Sequence, residues 1–228
     1  MNRQLVLVPQ GAEYRAVQRG LRGQRLRGWQ VVPLRAGAAA LSTPALSAAL
    51  ANGPTVAVVL GVCGGLQPQD PVGEVVVYRT CQDEAGVMAS LDGLLLARFG
   101  DRWRFVKAIT TQGVMCKAKE KQALARRWGV EVVDMEGVLL LRHLQGLGIP
   151  VAMVRVISDG GDRDLPDLTH AVDHLGNLRP WPLMVAMLRN PLAAAYLVQG
   201  SLRALAVLEA IAPEVVRCLA DLTPAPLP

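Results

Sequence analysis

The sequence predicts one α/β domain of three layers, with a mixed, mainly parallel central sheet flanked by helices and a helical C-terminal tail. Half of the 228 residues are apolar but only 4% are aromatic, so small aliphatic side chains must fill the core. Short apolar runs alternate with segments of helical length, which is typical of parallel strands. Beyond Asp162 long apolar helical segments follow. We therefore predict a core over residues 1–162 and a helical extension over residues 163–228 packed on the same domain.

The first half of the chain carries four predicted strands and two predicted helices. The strands fall on β-branched apolar runs at residues 4–8, 31–34, 55–60 and 74–79, and the helices at residues 12–26 and 44–51. Residues 61–65, GVCGG, are predicted to form a glycine turn at a strand end, where backbone can approach a ligand. Ligands of open α/β sheets bind at this end of the strands.

The second half continues the alternation and then becomes helical. Strands are predicted at residues 105–110, 131–133 and 151–157, helices at residues 117–128, 137–147, 181–188 and 192–211, and a loop or short helix at residues 87–99. Gly129 is placed to cap the helix before it.

Charge and cysteine usage narrow the function classes. The net charge of +5 leaves nucleic-acid binding open, but no stacking array or DNA-reading motif accompanies the arginines, so a solvated helix face is favoured. The four cysteines share no CxxC spacing and are predicted to be reduced thiols of a cytoplasmic protein. Neither export nor a membrane span is predicted from the apolar segments. The apolar N-terminus is too short for a signal peptide. Residues 36–69 are uncharged, but Ser, Pro, Asn and Gly interrupt them, so no continuous spanning helix is expected.

Three carboxylates, Glu13, Glu136 and Asp159, follow predicted strand ends. A cap or surface position explains each one singly, and Glu13 suits the first turn of a helix electrostatically. Because strand ends of a parallel sheet meet at one edge, the three could also converge beside the glycine segment. Such convergence would mark a functional site.

Three segments carry a resemblance to a known family. Residues 56–77 (VAVVLGVCGGLQPQDPVGEVVV), 132–136 (VVDME) and 154–159 (VRVISD) resemble the glycine, ribose-binding and catalytic-acid segments of the nucleoside phosphorylase/nucleosidase family. That family includes purine nucleoside phosphorylases and methylthioadenosine/S-adenosylhomocysteine nucleosidases. The matches run from about residue 4 to residue 162, and the tail, with LRNP at residues 188–191, looks most like the hopanoid-associated branch.

The resemblance implies cleavage of the bond between a purine and a ribose. Asp159 would be the general acid that protonates the base, with Ser158 orienting it. Glu136 would bind the ribose hydroxyls, and Met135 would pack against the sugar or simply belong to the core. Arg155 would pair with Glu13 or Glu136.

Two further parts of the site follow from the resemblance. Gly61 and Gly64 would bring backbone close to the substrate. The segment 113–117 would contact the base, with an apolar wall formed by Val114, Met115 and Cys116.

The sequence departs from the phosphorolytic pattern, in which an arginine and a serine flank the glycine segment. This chain has Val59 and Val62 there, while Glu13 matches the acid that activates water in nucleosidases. Hydrolysis is therefore favoured, with phosphate as the alternative co-substrate, for which Arg15 and Arg19 would be the candidate ligands. No other cofactor is predicted.

The sequence alone leaves other interpretations of function and partners open. A non-catalytic nucleoside-binding or assembly protein could retain the fold. His170 and His174, four residues apart near Asp167, have a metal-like spacing but lack a third ligand of fixed position, so no metal is predicted. The expected partner is a small nucleoside, the expected state a homodimer or higher homo-oligomer, and the tail could instead contact a membrane surface.

Overall fold

The computed structural model describes residues 4–24, 28–169, 171 and 179–220. Within these residues, eight strands form one sheet: β1 (Gln4–Pro9), β2 (Trp29–Leu34), β3 (Val56–Gly65), β4 (Val75–Asp83), β5 (Met88–Ser90), β6 (Arg104–Thr110), β7 (Val132–Asp134) and β8 (Val151–Asp159). The same described residues form seven α-helices: α1 (Ala12–Gly20), α2 (Pro44–Leu50), α3 (Gly93–Ala97), α4 (Ala118–Trp128), α5 (Gly137–Gly146), α6 (Pro180–Arg189) and α7 (Pro191–Leu219). A 3₁₀ helix spans Gly37–Ser42.

The sheet is mixed and mainly parallel. Strand β3 pairs in parallel with β1 and β8, and β1 with β2. Strand β4 runs antiparallel to β8 but parallel to β6, which in turn pairs in parallel with β7. The end of β3 meets β7 in antiparallel fashion, so the carboxyl ends of β3, β7 and β8 come together.

Helices cover both faces of the sheet, which confirms the predicted fold class. One core lies between the sheet and the 3₁₀ helix, α2 and α5. The other lies between the sheet and α1 and α7. Every residue of β8 is buried, as expected for a strand covered on both faces.

The glycine segment is strand, and the prediction of a turn there is wrong. Strand β3 continues through Gly65, with a shift of register between Cys63 and Gly64. Two strands hold it in extended form, because Gly64 aligns with Val133 of β7 as well as with Asp159 of β8. Glycine's turn propensity is overridden by pairing on both edges.

Helix ends also differ from the predictions. Helix α1 ends at Gly20 rather than near residue 26. Helix α7 runs past Pro213 to Leu219, because Val215, Val216 and Leu219 are buried against the sheet and compensate for the missing backbone donor. Gly129 caps α4 at a φ of 63°, as predicted. Within the described residues, no helix has both the length and the apolarity needed to cross a bilayer.

Candidate active site

A cavity of about 200 Å³ lies at the carboxyl ends of β1, β3, β7 and β8. It collects most of the side chains that the sequence singles out. The predicted site residues that line it are Glu13, Gly64, Val114, Met115, Met135, Glu136, Ser158 and Asp159. These residues come from separate elements, so the sheet topology is what brings them together.

Asp159 lies at the last position of β8 with both carboxylate oxygens engaged. Oδ1 lies 2.6 Å from Ser158 Oγ, the hydroxyl that was predicted to orient it. Oδ2 accepts a hydrogen bond from the ammonium of Lys121. Lys121 Nζ also donates to the carbonyl oxygen of Gly160, at 2.9 Å. The carboxylate is therefore held from two sides and faces the cavity with little freedom to turn.

Lys121 is a site residue that the sequence analysis missed. It lies in the first turn of α4 and is fully buried. Lys121, Leu124, Ala125 and Trp128 follow the i, i+3, i+4, i+7 spacing of a buried helix face. A lysine on such a face needs a partner, since an unpaired buried charge is strongly unfavourable. A lysine at a position where the helix pattern expects an apolar residue was the sequence feature that could have identified Lys121 as a site residue.

Glu136 is bound by Arg155. The sequence predicted Glu13 or Glu136 as the partner of this arginine. Arg155 Nη2 lies 2.8 Å from Glu136 Oε1 and 3.4 Å from Asp134 Oδ2. Burial raises the pKa of Glu136, against the opposing effect of the Arg155 guanidinium. The pKa of Arg155 is raised above its usual value, since Glu136 and Asp134 outweigh the effect of burial.

Asp134, the other acid bonded to Arg155, was also not selected from the sequence. It accepts hydrogen bonds from Thr110 Oγ1 at 2.6 Å, from the Gly137 amide at 3.0 Å and from Tyr78 Oη at 3.2 Å. These contacts anchor the turn from β7 into α5, where Met135 and Glu136 lie. Asp134 therefore positions the neighbouring site residues.

Glu13 reaches the cavity from the first turn of α1. The residue is partly exposed, but its carboxylate lies against β3, where Oε1 accepts the Val62 amide at 2.7 Å. Burial raises the pKa of Glu13 to about 7, and the charge of Glu136 adds to the rise while Arg155 opposes it. A carboxyl group with this pKa exchanges a proton readily near neutrality.

Gly61 acts through its missing side chain and does not line the cavity. A Cβ at this position would overlap Arg155 Nη1 and lie 2.7 Å from Glu13 Oε1. The glycine thus lets an arginine and a carboxylate come close to the β3 backbone. Among the described residues, neither Nε nor Nη1 of Arg155 has a hydrogen-bond partner.

Besides Gly61 and Arg155, two further residues considered in the sequence analysis lie outside the cavity lining. Cys116, expected in the apolar wall, is buried beneath α6 with Leu165, Leu168 and Ala186. Its backbone carbonyl and thiol accept the amides of Leu165 and Leu168, which turns it away from the cavity. Val59 is fully buried in the core and does not line the cavity.

Several of the arginines that contribute to the net positive charge are paired with acids. Arg19 binds Glu209, Arg102 binds Glu214, and Arg104 binds Asp70, Glu74 and Glu131. His170 and His174 lie outside the described residues. Across the described ranges, no group of His, Cys, Asp and Glu is arranged to hold a metal ion.

Comparison with known proteins gives a family model and similar solved structures. Residues 80–177 match the model described as the phosphorylase superfamily. No curated protein sequence matches the chain. The structure of Helicobacter pylori 5′-methylthioadenosine/S-adenosylhomocysteine nucleosidase aligns with a TM-score of 0.70 at 14% identity, covering 95% of this chain and 98% of that one.

Two other solved structures align over nearly their whole length. Arabidopsis thaliana 5′-methylthioadenosine nucleosidase has a TM-score of 0.67 at 14% identity, with 98% of each chain covered. Helicobacter pylori futalosine hydrolase has a TM-score of 0.64 at 16% identity, covering 94% of this chain and 99% of that one. The chain therefore shares the fold of these nucleosidases, and its residues 80–177 are similar to the phosphorylase superfamily.

Proposed function

We propose that this protein is an enzyme that hydrolyses the N-glycosidic bond of a purine nucleoside, with a 5′-substituted adenosine as its substrate. The observation that carries the proposal is the meeting of Glu13, Glu136 and Asp159 around one cavity. The substrate class is suggested by the solved structures of similar fold, two of which are methylthioadenosine nucleosidases.

Asp159 is the proposed proton donor to the departing base. As the C1′–N bond breaks, its electron pair moves onto the base, and a ring nitrogen takes the proton from Asp159. The base then leaves neutral. Ser158, bonded to Asp159 Oδ1, keeps the carboxyl group turned toward the cavity.

Glu136 is the proposed partner of the ribose hydroxyls. Its carboxylate faces the cavity beside Met135, and Arg155 fixes Oε1 from behind. Positive charge develops on the sugar as the base departs, and a fixed carboxylate stabilises that charge. Met135 would supply an apolar surface beside the ring.

Glu13 is the proposed base that activates water. With a pKa of about 7 it can take a proton from the water that attacks C1′. The Arg155 Nη1 hydrogens have no protein partner within the described part of the chain and lie next to the same glycine, so they could help hold that water.

Phosphate is disfavoured as the nucleophile by the charges around the cavity. Lys121, which lines the cavity, and Arg155, which binds Glu136 of its lining, are already bonded to carboxylates. Arg15 is exposed on α1 and Arg19 is paired with Glu209. An anion would also meet the carboxylate of Glu13. Water is neutral and does not need cations free of carboxylate partners, so no cofactor and no co-substrate other than water is proposed.

A product assay tests the proposal directly. The purified protein is given methylthioadenosine, S-adenosylhomocysteine, adenosine, inosine and a long-chain 5′-substituted adenosine, each with and without phosphate. We expect free base and the free ribose derivative at equal rates in both conditions. A ribose 1-phosphate that accumulates in proportion to phosphate would assign phosphorolysis instead. Binding without base release from any substrate would favour a non-catalytic nucleoside-binding protein.

Replacing Glu13 by Gln separates the two nucleophiles further. Loss of the base should slow base release on the order of 10²-fold. Addition of phosphate should not restore the rate. If phosphate does restore it, Glu13 is not needed for attack and the hydrolytic assignment fails.

The proposed setting is the cytoplasm, with the protein acting as a homo-oligomer. Helices α6 and the start of α7 expose Trp181, Met184, Leu188 and Leu192. An apolar surface of this kind suits burial against a second copy of the chain. Light scattering coupled to size-exclusion chromatography should give the molar mass of at least a dimer. If the protein is instead a monomer and sediments with anionic vesicles, this surface binds a membrane.

A further inference from the structure

Lys121 is a buried cation whose side-chain hydrogen bonds, among the described residues, all go to one segment of the chain. Its side chain is 1% exposed, and its ammonium donates to Asp159 Oδ2 and to the carbonyl oxygen of Gly160. The next residue of α4, Gln122, donates to the carbonyl oxygen of Gly161 at 2.8 Å. The first turn of α4 therefore holds the segment that follows β8, directly beside the proposed acid.

The two oxygens of Asp159 have different neighbours. Oδ2 faces an ammonium, which can only donate, so this oxygen must accept. Oδ1 faces the Ser158 hydroxyl, which lies 2.6 Å away and has a second acceptor, the Cys63 carbonyl oxygen, at 3.2 Å. When the Ser158 proton turns to Cys63, Oδ1 can itself carry a proton. The transferable proton of Asp159 is thereby confined to Oδ1.

We propose that Lys121 is a positioning residue for the proton donor: it keeps Asp159 Oδ2 as an acceptor and stabilises the carboxylate that remains after the base departs. In this step the Oδ1–H bond breaks, an N–H bond forms on the base, and the C1′–N electron pair stays with the base. Lys121 keeps its own proton throughout. The inference rests on the proposed function, since it assigns Lys121 a part in base departure.

A purely structural role for Lys121 makes a different prediction. Removing one partner of a buried ion pair leaves the other charge uncompensated, so a purely structural role would make Lys121→Met lower the free energy of unfolding and slow the cleavage of every substrate alike. In the proposed role, Lys121→Met, which keeps the length of the side chain, removes the donor to Asp159 Oδ2. Its effect should therefore fall on the step that uses Asp159.

The first experiment measures base release by Lys121→Met from the adenosine derivative that the wild type cleaves fastest. We expect kcat to fall on the order of 10²-fold while KM stays within about threefold. Lys119→Met is the matched control, because Lys119 is an exposed lysine of the same helix turn, and it should match the wild type. Lys121→Arg, which retains the charge, should recover part of the rate. Should Lys121→Met fail to fold, Lys121→Gln takes its place.

The second experiment places the loss in a particular step. Combined with Asp159→Asn, Lys121→Met should reduce kcat only about twofold further, because the group that it serves is already gone. With 4-nitrophenyl riboside, whose leaving group departs as an anion without a proton, Lys121→Met should have a similarly small effect.

Three results would overturn the assignment. In the first, Lys121→Met leaves kcat on the adenosine derivative unchanged. In the second, the fold-decreases in kcat caused by Lys121→Met and by Asp159→Asn multiply fully in the double variant. In the third, Lys121→Met slows cleavage of the adenosine derivative and of 4-nitrophenyl riboside equally. All three presuppose an active wild type, so they leave the proposed function standing. A wild type that releases no base from any nucleoside would instead remove the proposed function and this inference with it.

Discussion

Glu13, Glu136 and Asp159 share one cavity but differ in what surrounds them. Glu13 is held by a single backbone amide, Glu136 by a guanidinium, and Asp159 by a hydroxyl and an ammonium. A weakly held carboxyl with a pKa of about 7 suits proton uptake from water. One held by a buried arginine suits charge stabilisation. The residue types are similar, and the neighbours give them distinct roles.

Asp159→Asn should abolish base release while leaving nucleoside binding nearly unchanged. The amide fills the same volume and can still accept from Lys121, but it has no carboxyl proton to give. We expect a loss on the order of 10²-fold or more in kcat, measured as free base by chromatography. Asp162→Asn, an exposed carboxylate three residues further on, is the control. Turnover of Asp159→Asn within a few-fold of the wild type would remove Asp159 from the mechanism.

Glu136→Gln should slow turnover and weaken ribose recognition together, because its contact with the hydroxyls strengthens as the sugar gains charge. The test compares ribose and 2′-deoxyribose substrates in both proteins. If Glu136 binds the 2′-hydroxyl, removing that hydroxyl should cost the variant much less than it costs the wild type. Fully additive losses would contradict this role. Glu84→Gln, an exposed acid, should behave as the wild type.

At the scale of secondary-structure elements, α7 packs against β8, the strand that carries Ser158 and Asp159. The helix crosses the sheet next to β8 and α1 and can approach both closely because of glycines. A Cβ at Gly200 would overlap the Ser158 carbonyl oxygen, and one at Gly20 would overlap the carbonyl oxygen of Glu209. Tight packing of α7 thus fixes the backbone of the residue that precedes Asp159.

Gly200→Ala should therefore reduce both stability and activity. The added methyl group must push α7 away from Ser158, and overpacking of this kind typically lowers the free energy of unfolding by about 1–3 kcal/mol. We also expect a fall in kcat, because Ser158 and Asp159 move with the strand. Gly146→Ala is the control, since a Cβ at Gly146 in α5 meets no atom within 4 Å. Urea unfolding and base release measure the two effects; equal behaviour of the two variants would contradict the close packing.

At the scale of the whole molecule, stability and chemistry depend on the same buried charges. Glu136 and Asp134 share one arginine, and Glu13 lies beside them. The pKa of Glu13 is about 7 in the folded chain, against an ordinary value of 4.5. The folded chain thus binds more protons than the unfolded chain between these pH values. Stability from protonated Glu13 is full below pH 4.5 and is lost as the pH rises toward 7.

The wild type should consequently lose stability relative to Glu13→Gln as the pH rises from about 4.5 to about 7. The change cannot exceed about 3.5 kcal/mol, since the pKa rises from 4.5 to about 7 and one pKa unit corresponds to about 1.4 kcal/mol; the partial exposure of the residue reduces it. Urea unfolding of both proteins across this range measures the difference. Glu84→Gln should show no such trend. A constant difference between the wild type and Glu13→Gln would mean that Glu13 titrates normally in the folded state.

The sequence by itself determined the alternation of strands and helices, the fold class and the three acids at strand ends. Apolar periodicity is local, so it could be read along the chain, and the positions of Glu13, Glu136 and Asp159 followed from it. The C-terminal cap at Gly129 is likewise a local feature and was predicted correctly.

Only the tertiary structure decided what depends on distant partners. The segment 61–65 is strand because β7 and β8 pair with it, and Cys116 leaves the cavity because the 165–168 segment and α6 cover it. Lys121 meets Asp159 across 38 positions of sequence. Hydrogen bonds and ion pairs act over a few ångströms, so their partners are set by how the sheet brings its strand ends together, which no local pattern records.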